Sequence, residues 1–244
     1  MDIIDEAVSI GRFIIEDEKH PTKLYKVCKY FGTDLSDNQI LQKLNKHFTM
    51  EQIKEHFEFW YPISDKEQSL ACLEFVDIDE FKLHIDEDFY FFKNEVFETF
   101  KRGIDFGKLY RYDDCNHGKY QNKPCLGFQP TPSFWKRFLL HIIKSLEMLS
   151  VVGVVHHDVF MRNIIIDHFE SEQTITNPIL IDFGESETSD SAEKENAKSF
   201  HLFLKYCYCC NPMRDTNWIF GNVPVPYDAF PNLTEATNWV VTNF

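Results

Sequence analysis

Glycine is scarce in this chain: nine among 244 residues, and no two stand as G-x-G. A phosphate-cradling loop of closely spaced glycines is thereby excluded in its usual form, because only glycine lets backbone amides approach a ligand that closely. Basic side chains also run short. Lys and Arg total 25 against 39 Asp and Glu, a net charge of −14, so a nucleic-acid phosphate backbone is not expected as a general partner. No apolar run approaches the length of a membrane span, so no membrane contact is expected. The opening Met1-Asp2-Ile3-Ile4-Asp5-Glu6 is too acidic for a signal or transit peptide. The seven cysteines are odd in number and unevenly spaced, which fits reduced thiols in a cytoplasmic or nuclear setting. No internal repeat or low-complexity tract stands out. What the chain has in plenty is phenylalanine, 24 of them, and enough length to bury a good core.

Local patterns divide the chain. Ser36 with Gln39, and Thr49 with Gln52, have the spacing of capping boxes and predict helices over 36–46 and 49–59, the second closed by Tyr61-Pro62. Residues 70–78 and 81–85 read as strands, the latter with Phe81, Leu83 and Ile85 alternating against Lys82 and His84. Residues 89–102 read as a helix ended by Gly103, and 107–112 and 124–129 as further strands. The pattern then changes. Thr131-Pro132 is an N-cap followed by a first-turn proline, and Phe134, Phe138, Ile142, Leu146 and Leu149 form a buried helical stripe over 132–150.

A polar constellation follows that stripe. After the apolar run 151–155 come His156-His157-Asp158-Val159-Phe160-Met161-Arg162-Asn163, then two β-branched strands over 163–167 and 178–183 that end in Asp182-Phe183-Gly184. An apolar core accounts for the isoleucines of these strands. It gives no reason for Asp158, Asn163 and Asp182, three metal-philic side chains, to punctuate them. Further on, 185–196 is polar and acidic, 197–210 is helical with Phe200, Phe203, Leu204 and Tyr208 on one side, 211–231 is irregular, and 234–241 is a last short helix. The thiols Cys207, Cys209 and Cys210 beside His201 lack the second paired element of a zinc site and read as buried free thiols.

H-x-D-x-x-x-x-N followed by a hairpin and D-F-G resembles the catalytic lobe of the protein-kinase-like superfamily, and within it the small atypical members that include fungal-type kinase-like proteins. The resemblance is carried by 131–185. It implies an α+β, compact two-lobed protein-kinase-like fold with a truncated C-terminal lobe. The lobes would be a β-rich N-terminal one over 1–130 with a helical extension, and a helical catalytic one over 131–244, with the nucleotide in the cleft. It further implies ATP and Mg²⁺ as cofactors: Asp158 positions the attacking hydroxyl, Asn163 and Asp182 hold the metal, and His156 braces the loop.

In such a fold a strand lysine and a helix glutamate hold the nucleotide phosphates. Lys82 and Glu95 fit that order, with Lys66, Lys93 and Glu98 as competitors. His157 stands where many regulated kinases place an arginine that pairs with a phosphorylated segment, and a histidine does this less well. The absence of glycine from 61–69 points to weaker nucleotide affinity. With no A-P-E and a short chain after Gly184, the expected activity is that of an atypical Ser/Thr protein kinase acting on a protein substrate or docking partner. Two alternatives are a pseudokinase scaffold and a small-molecule kinase of the aminoglycoside or choline type.

Overall fold

The computed structural model describes residues 1–7, 12–29, 37–75, 94–100, 103–109, 131–166, 177–209, 223 and 225–244. Its contacts group the chain into two units, Met1–Thr33 with Phe59–Lys101, and Asp34–Glu58 with Arg102–Phe244. The helices expected over 36–46 and 49–59 therefore belong with the second unit.

The first unit is a five-stranded antiparallel sheet in the order β1-β2-β3-β5-β4, with β1 Asp2–Ala7, β2 Arg12–Glu16, β3 Lys23–Lys29, β4 Tyr61–Pro62 and β5 Asn94–Phe100. Residues two apart on a strand share a face. The register Phe13↔Val27 and Ile15↔Tyr25 collects these four buried side chains into one layer. Helix α3, Lys66–Phe75, adds Cys72 to that cluster. Burial pushes the Cys72 thiol up to about 11, so it packs as an apolar group rather than reacting. Asp17, just past β2, is buried and accepts from Gln68 Nε2 on α3 (3.0 Å), from the Lys19 amide (3.2 Å) and from the His20 ring (3.2 Å). Burial alone would raise its pKa, but these hydrogen bonds outweigh it and hold the carboxyl below its usual value.

Two expectations are corrected in this unit. Residues 70–78 were expected as a strand, but α3 is a helix. Asp65 caps it, accepting from the amides of Glu67 (3.0 Å) and Gln68 (3.1 Å), and Asp-x-x-Gln is a capping pattern like the two already noted. Residues 89–102 were expected as a helix, but the described part is β5, paired with β3 along its whole length. Pairing with β3 and β4 overrides the helix-like spacing of the phenylalanines. Glu95 therefore stands on a strand opposite Cys28, not on a helix. Lys82, with the strand expected around it, and Lys93 lie outside the described residues, as does the strand expected over 124–129.

The second unit begins with α1, Asp37–Leu44, and α2, Met50–His56. The Thr49–Gln52 capping box forms as the spacing predicts. Helix α2 stops at His56 rather than 59, because Phe57 turns extended and bridges to Leu180 while the Glu58 amide donates to the Leu180 carbonyl (3.1 Å). After β6, Ile104–Asp105, the short helix α4, Phe106–Leu109, replaces the start of the strand expected over 107–112.

Helix α5, Pro132–Val151, is the spine of this unit. Thr131 caps it, accepting from the Phe134 amide (3.2 Å), and all five residues of the predicted stripe are buried. Each such side chain contributes about 1.5–3 kcal/mol relative to exposure. Phe106 packs edge-on against Trp135 and close to Phe138, with ring centroids 5.8 and 4.4 Å away. Gly153 ends the helix in the left-handed region (φ 68°).

Beyond it come β7 Val154–Val155, β8 Ile164–Ile166, β9 Pro178–Leu180 and β10 Glu187–Thr188, then α6 Ala192–Cys209 and α7 Leu233–Asn243. The two expected β-branched strands are β8 and β9, an antiparallel hairpin joined by β6; β7 pairs with β10. Helices α6 and α7 pack against α5 and against each other. Cys207 is buried in α6, and the His201 Nε2 donates to the Pro226 carbonyl (2.7 Å).

Candidate active site

The loop between β7 and β8 and the hairpin end after β9 converge because of backbone register. Ile164 pairs with Leu180, and the Ile181 amide donates to the Asn163 carbonyl (3.0 Å), so Asp182 follows directly on the residue that faces Asn163. A 3₁₀ turn, Met161–Asn163, swings Asn163 back under Asp158. Its Nδ2 donates to the Asp158 carboxylate (2.7 Å) and to the Asp158 carbonyl (3.0 Å). Both amide hydrogens are thus committed, which leaves Oδ1 as the atom offered to a ligand.

Asp158 accepts again from Arg162, whose Nη2 lies 2.9 Å from each carboxylate oxygen, and the guanidinium stacks over the Phe160 ring at 4.8 Å. Arg162 is a site residue that the sequence reading passed over. Its signal was present, an acid and a base four residues apart in a tight turn.

His156 is fully buried. Burial lowers its pKa, against the opposing pull of the Asp158 and Asp182 charges, and keeps the ring neutral. Its Nε2 donates to the Ile181 carbonyl (3.2 Å), its ring lies 4.8 Å from that of Phe183, and among the described residues Nδ1 has no hydrogen-bond partner. Phe183 is buried in turn against Phe57 (6.0 Å). His156 therefore joins the loop to the segment between β9 and Asp182.

The backbone of this loop is tied from behind by Asn196 on α6, a second residue missed from sequence. Its Oδ1 accepts from the His156 amide (3.1 Å), and its Nδ2 donates to the Val154 carbonyl (2.8 Å) and to Ser150 Oγ (3.0 Å). His157 and Asp182 both adopt left-handed backbone, φ 58° and 61°. The His157 side chain turns outward to Glu187 on β10, Nε2 to Oε1 2.8 Å. Asp182 Oδ1 would lie 3.4 Å from a Cβ at Gly184.

Asp158, Asn163 and Asp182 are thus brought to one hairpin end. The donor set available there, a carboxylate oxygen from Asp182 and an amide oxygen from Asn163, is hard and suits Mg²⁺ rather than a thiophilic metal. In the first unit, β3 carries Lys26. Its neighbours Tyr25 and Val27 are buried in the core layer, so Lys26 projects from the opposite face, where its Nζ lies 5.5 Å from the centre of the Trp60 ring.

No family model matches the sequence, and no curated protein does. Solved structures do match. The BubR1 kinase domain aligns over 99% of this chain and 78% of its own length, with a TM-score of 0.52 and 11% identity. The Cydia pomonella granulovirus kinase PK-1 aligns over 78% of this chain with a TM-score of 0.47 and 11% identity, and the chain spans 54% of that protein's length. The fold is protein-kinase-like, an α+β arrangement, as the sequence resemblance implied. No helix among the described residues is long and apolar enough to cross a membrane.

Proposed function

We propose that this chain is an ATP- and Mg²⁺-dependent phosphotransferase that moves the γ-phosphoryl group to a hydroxyl of a protein substrate, as an atypical Ser/Thr kinase. The observation that supports it best is the hydrogen bond of Asn163 to Asp158 (2.7 Å) at the hairpin end that also carries Asp182. Asp158 orients the acceptor hydroxyl and takes its proton as the oxygen–phosphorus bond forms and the bond to ADP breaks. Asn163 and Asp182 hold the Mg²⁺, which when bound offsets charge on the phosphate oxygens. His156 and Asn196 fix the loop that carries Asp158 and touch no reacting atom. For the phosphate-binding lysine, Lys82 lies outside the described residues, and Lys26, which projects from β3, is a further candidate. Glu95, on a strand, loses the helical placement that recommended it.

One observation favours the rival reading of a nucleotide-binding or protein-interaction scaffold: both Asp158 oxygens accept from Arg162, which engages the carboxylate that the reaction needs. Two measurements decide. Mg²⁺ and ATP at millimolar concentration should raise the melting temperature of the wild type and not of Asp182→Ala. Phosphate transfer should fall by orders of magnitude in Asp158→Asn while the nucleotide-dependent shift survives. A shift in the wild type without any Asp158-dependent transfer favours the scaffold.

A further inference from the structure

The last stretch of the chain carries side-chain charge of one sign only. From Asp215 to Phe244 there is no Lys, Arg or His, and there are three acids. Two of these, Asp228 and Glu235, line a groove of about 590 Å³ between the 226–231 segment and α7, within the second unit. Phe230 stands with Asp228 on one wall, and Asn238 and Trp239 with Glu235 on the other. Glu235 lies three and four residues before Asn238 and Trp239, so the three share one face of α7, while Leu233, Ala236 and Val240 are buried.

Both walls are held from behind. His201 Nε2 donates to the Pro226 carbonyl (2.7 Å), and the buried Phe230 ring packs against Phe200 (6.1 Å) and Trp239 (5.8 Å). Asn232 caps α7 by accepting from the Glu235 amide (2.8 Å). Stability of the fold accounts for only one of the acids. A carboxylate in the first turn of a helix is favoured, which suits Glu235 and says nothing of Asp228. Nor does local pairing consume them. Two lysines reach this part of the surface, but each ends on a main-chain carbonyl: Lys205 Nζ on Tyr227 and Lys136 Nζ on Val241, both at 3.4 Å. Among the described residues neither the Asp228 nor the Glu235 carboxylate has a hydrogen bond or an ion pair.

We infer that this groove docks a short basic segment of a partner protein, anchored by an arginine. Charge complementarity selects the occupant: two unpaired carboxylates, with no cation on either wall, in a chain of net charge −14. The remaining lining selects guanidinium over ammonium. A planar fork of donors serves carboxylate and side-chain amide oxygens together, and its flat face stacks on an indole such as that of Trp239. Size bounds the segment. From Glu235 to Thr242 the helix face is about 10 Å long at the helical rise, the span of roughly three residues of extended chain. A nucleic acid or an anionic membrane would bring charge of the wrong sign.

The test is binding, not turnover, and stands apart from the phosphotransfer reading. Fluorescence anisotropy of a fluorescein-labelled hexapeptide of alternating arginine and alanine is followed with the full chain at 0.15 M salt. Saturable binding is expected, weakened roughly tenfold or more in Asp228→Asn/Glu235→Gln and in Asn238→Lys, which sets a cation on the same wall, with unchanged melting temperatures. A lysine–alanine hexapeptide should bind several-fold more weakly. The control Asp190→Asn/Glu193→Gln removes two exposed acids elsewhere and should bind as the wild type does. Four outcomes would overturn the inference. The first is no saturable binding, or binding undiminished in both groove variants. The second is equal weakening in the control, which makes the peptide a probe of overall charge. The third is a lysine peptide, or spermine in competition, that binds as tightly as the arginine peptide, which removes the arginine anchor. The fourth is a wild type that self-associates in sedimentation while the double groove variant is monomeric, which makes a second copy the occupant.

Discussion

Arg162 Nη2 sits 2.9 Å from both carboxylate oxygens of Asp158, so the side chain expected to accept a proton is already a charge-assisted acceptor. The pair links two faces of one turn, with Asp158 sheltered and Arg162 nearly half exposed. Arg162→Ala should therefore separate function from stability. Removing an exposed cation should change unfolding free energy by less than about 1 kcal/mol. On the phosphotransferase reading transfer should fall roughly tenfold or more, since Asp158 loses the group that fixes its orientation, whereas a rise would show that Arg162 withholds the carboxylate. Parallel denaturation curves and initial rates check this, and an unchanged rate would show that Asn163 alone positions the carboxylate.

Asn196 is the more severe position. Asn196→Ala leaves the buried His156 amide and the Val154 carbonyl without their partner. The expected cost is about 2–4 kcal/mol, read from the urea midpoint. Amide hydrogen exchange at His156 should accelerate more than exchange within α5, which marks the loss as local to the loop.

Acid should destabilise the second unit through His56. Its ring is buried against His141 and bonded to Ser145 Oγ (2.9 Å). Burial, with further contributions from His141 and Lys144, pushes its pKa down from 6.5 to about 4. Between those values the unfolded chain takes up a proton that the folded chain refuses. The stabilisation is complete above pH 6.5 and is lost progressively as pH falls towards 4. The loss should be on the order of 2 kcal/mol or less, given the solvent near the ring. His56→Asn keeps a donor for Ser145 and removes the titration, so its urea midpoint should vary less steeply with pH than that of the wild type. Equal slopes would place the acid sensitivity elsewhere.

Gly153 offers a test of helix termination. Its φ of 68° is one that a side chain resists, although among the described residues a Cβ there would meet only the Ser189 carbonyl oxygen at 3.7 Å. Gly153→Ala should thus cost about 1 kcal/mol through backbone strain alone, without steric damage. A calorimetric melt beside a control Ala substitution at exposed Val151 measures it.

The sequence was most legible where structure is local. Thr49 with Gln52, Thr131 with Pro132, and the stripe on α5 act within a few turns, and each formed as its spacing predicts. The loop from His156 to Asn163 and the hairpin to Asp182 were readable for the same reason. Legibility failed where a distant partner decides. The 94–100 segment has phenylalanines at helix-like intervals, but β3, far upstream, claims it as a strand. Asn196 looked like one polar residue in an acidic run, because its partners on α5 and β7 come from a different part of the chain. The alternation of Phe13, Ile15, Tyr25 and Val27 was present and went unread, hidden between the charged residues of short strands.

His157 and Asp182 hold left-handed backbone without being glycine. Each conformation costs of the order of 1–2 kcal/mol that glycine would not incur. Drift towards glycine at these positions is thus a downhill route in stability, and at Asp182 it deletes the carboxylate in the same step. A lineage selected only for a robust fold has a standing incentive to take that route. This chain carries a side chain at both positions: His157 offsets part of its cost through the contact with Glu187, and Asp182 keeps its carboxylate at the hairpin end.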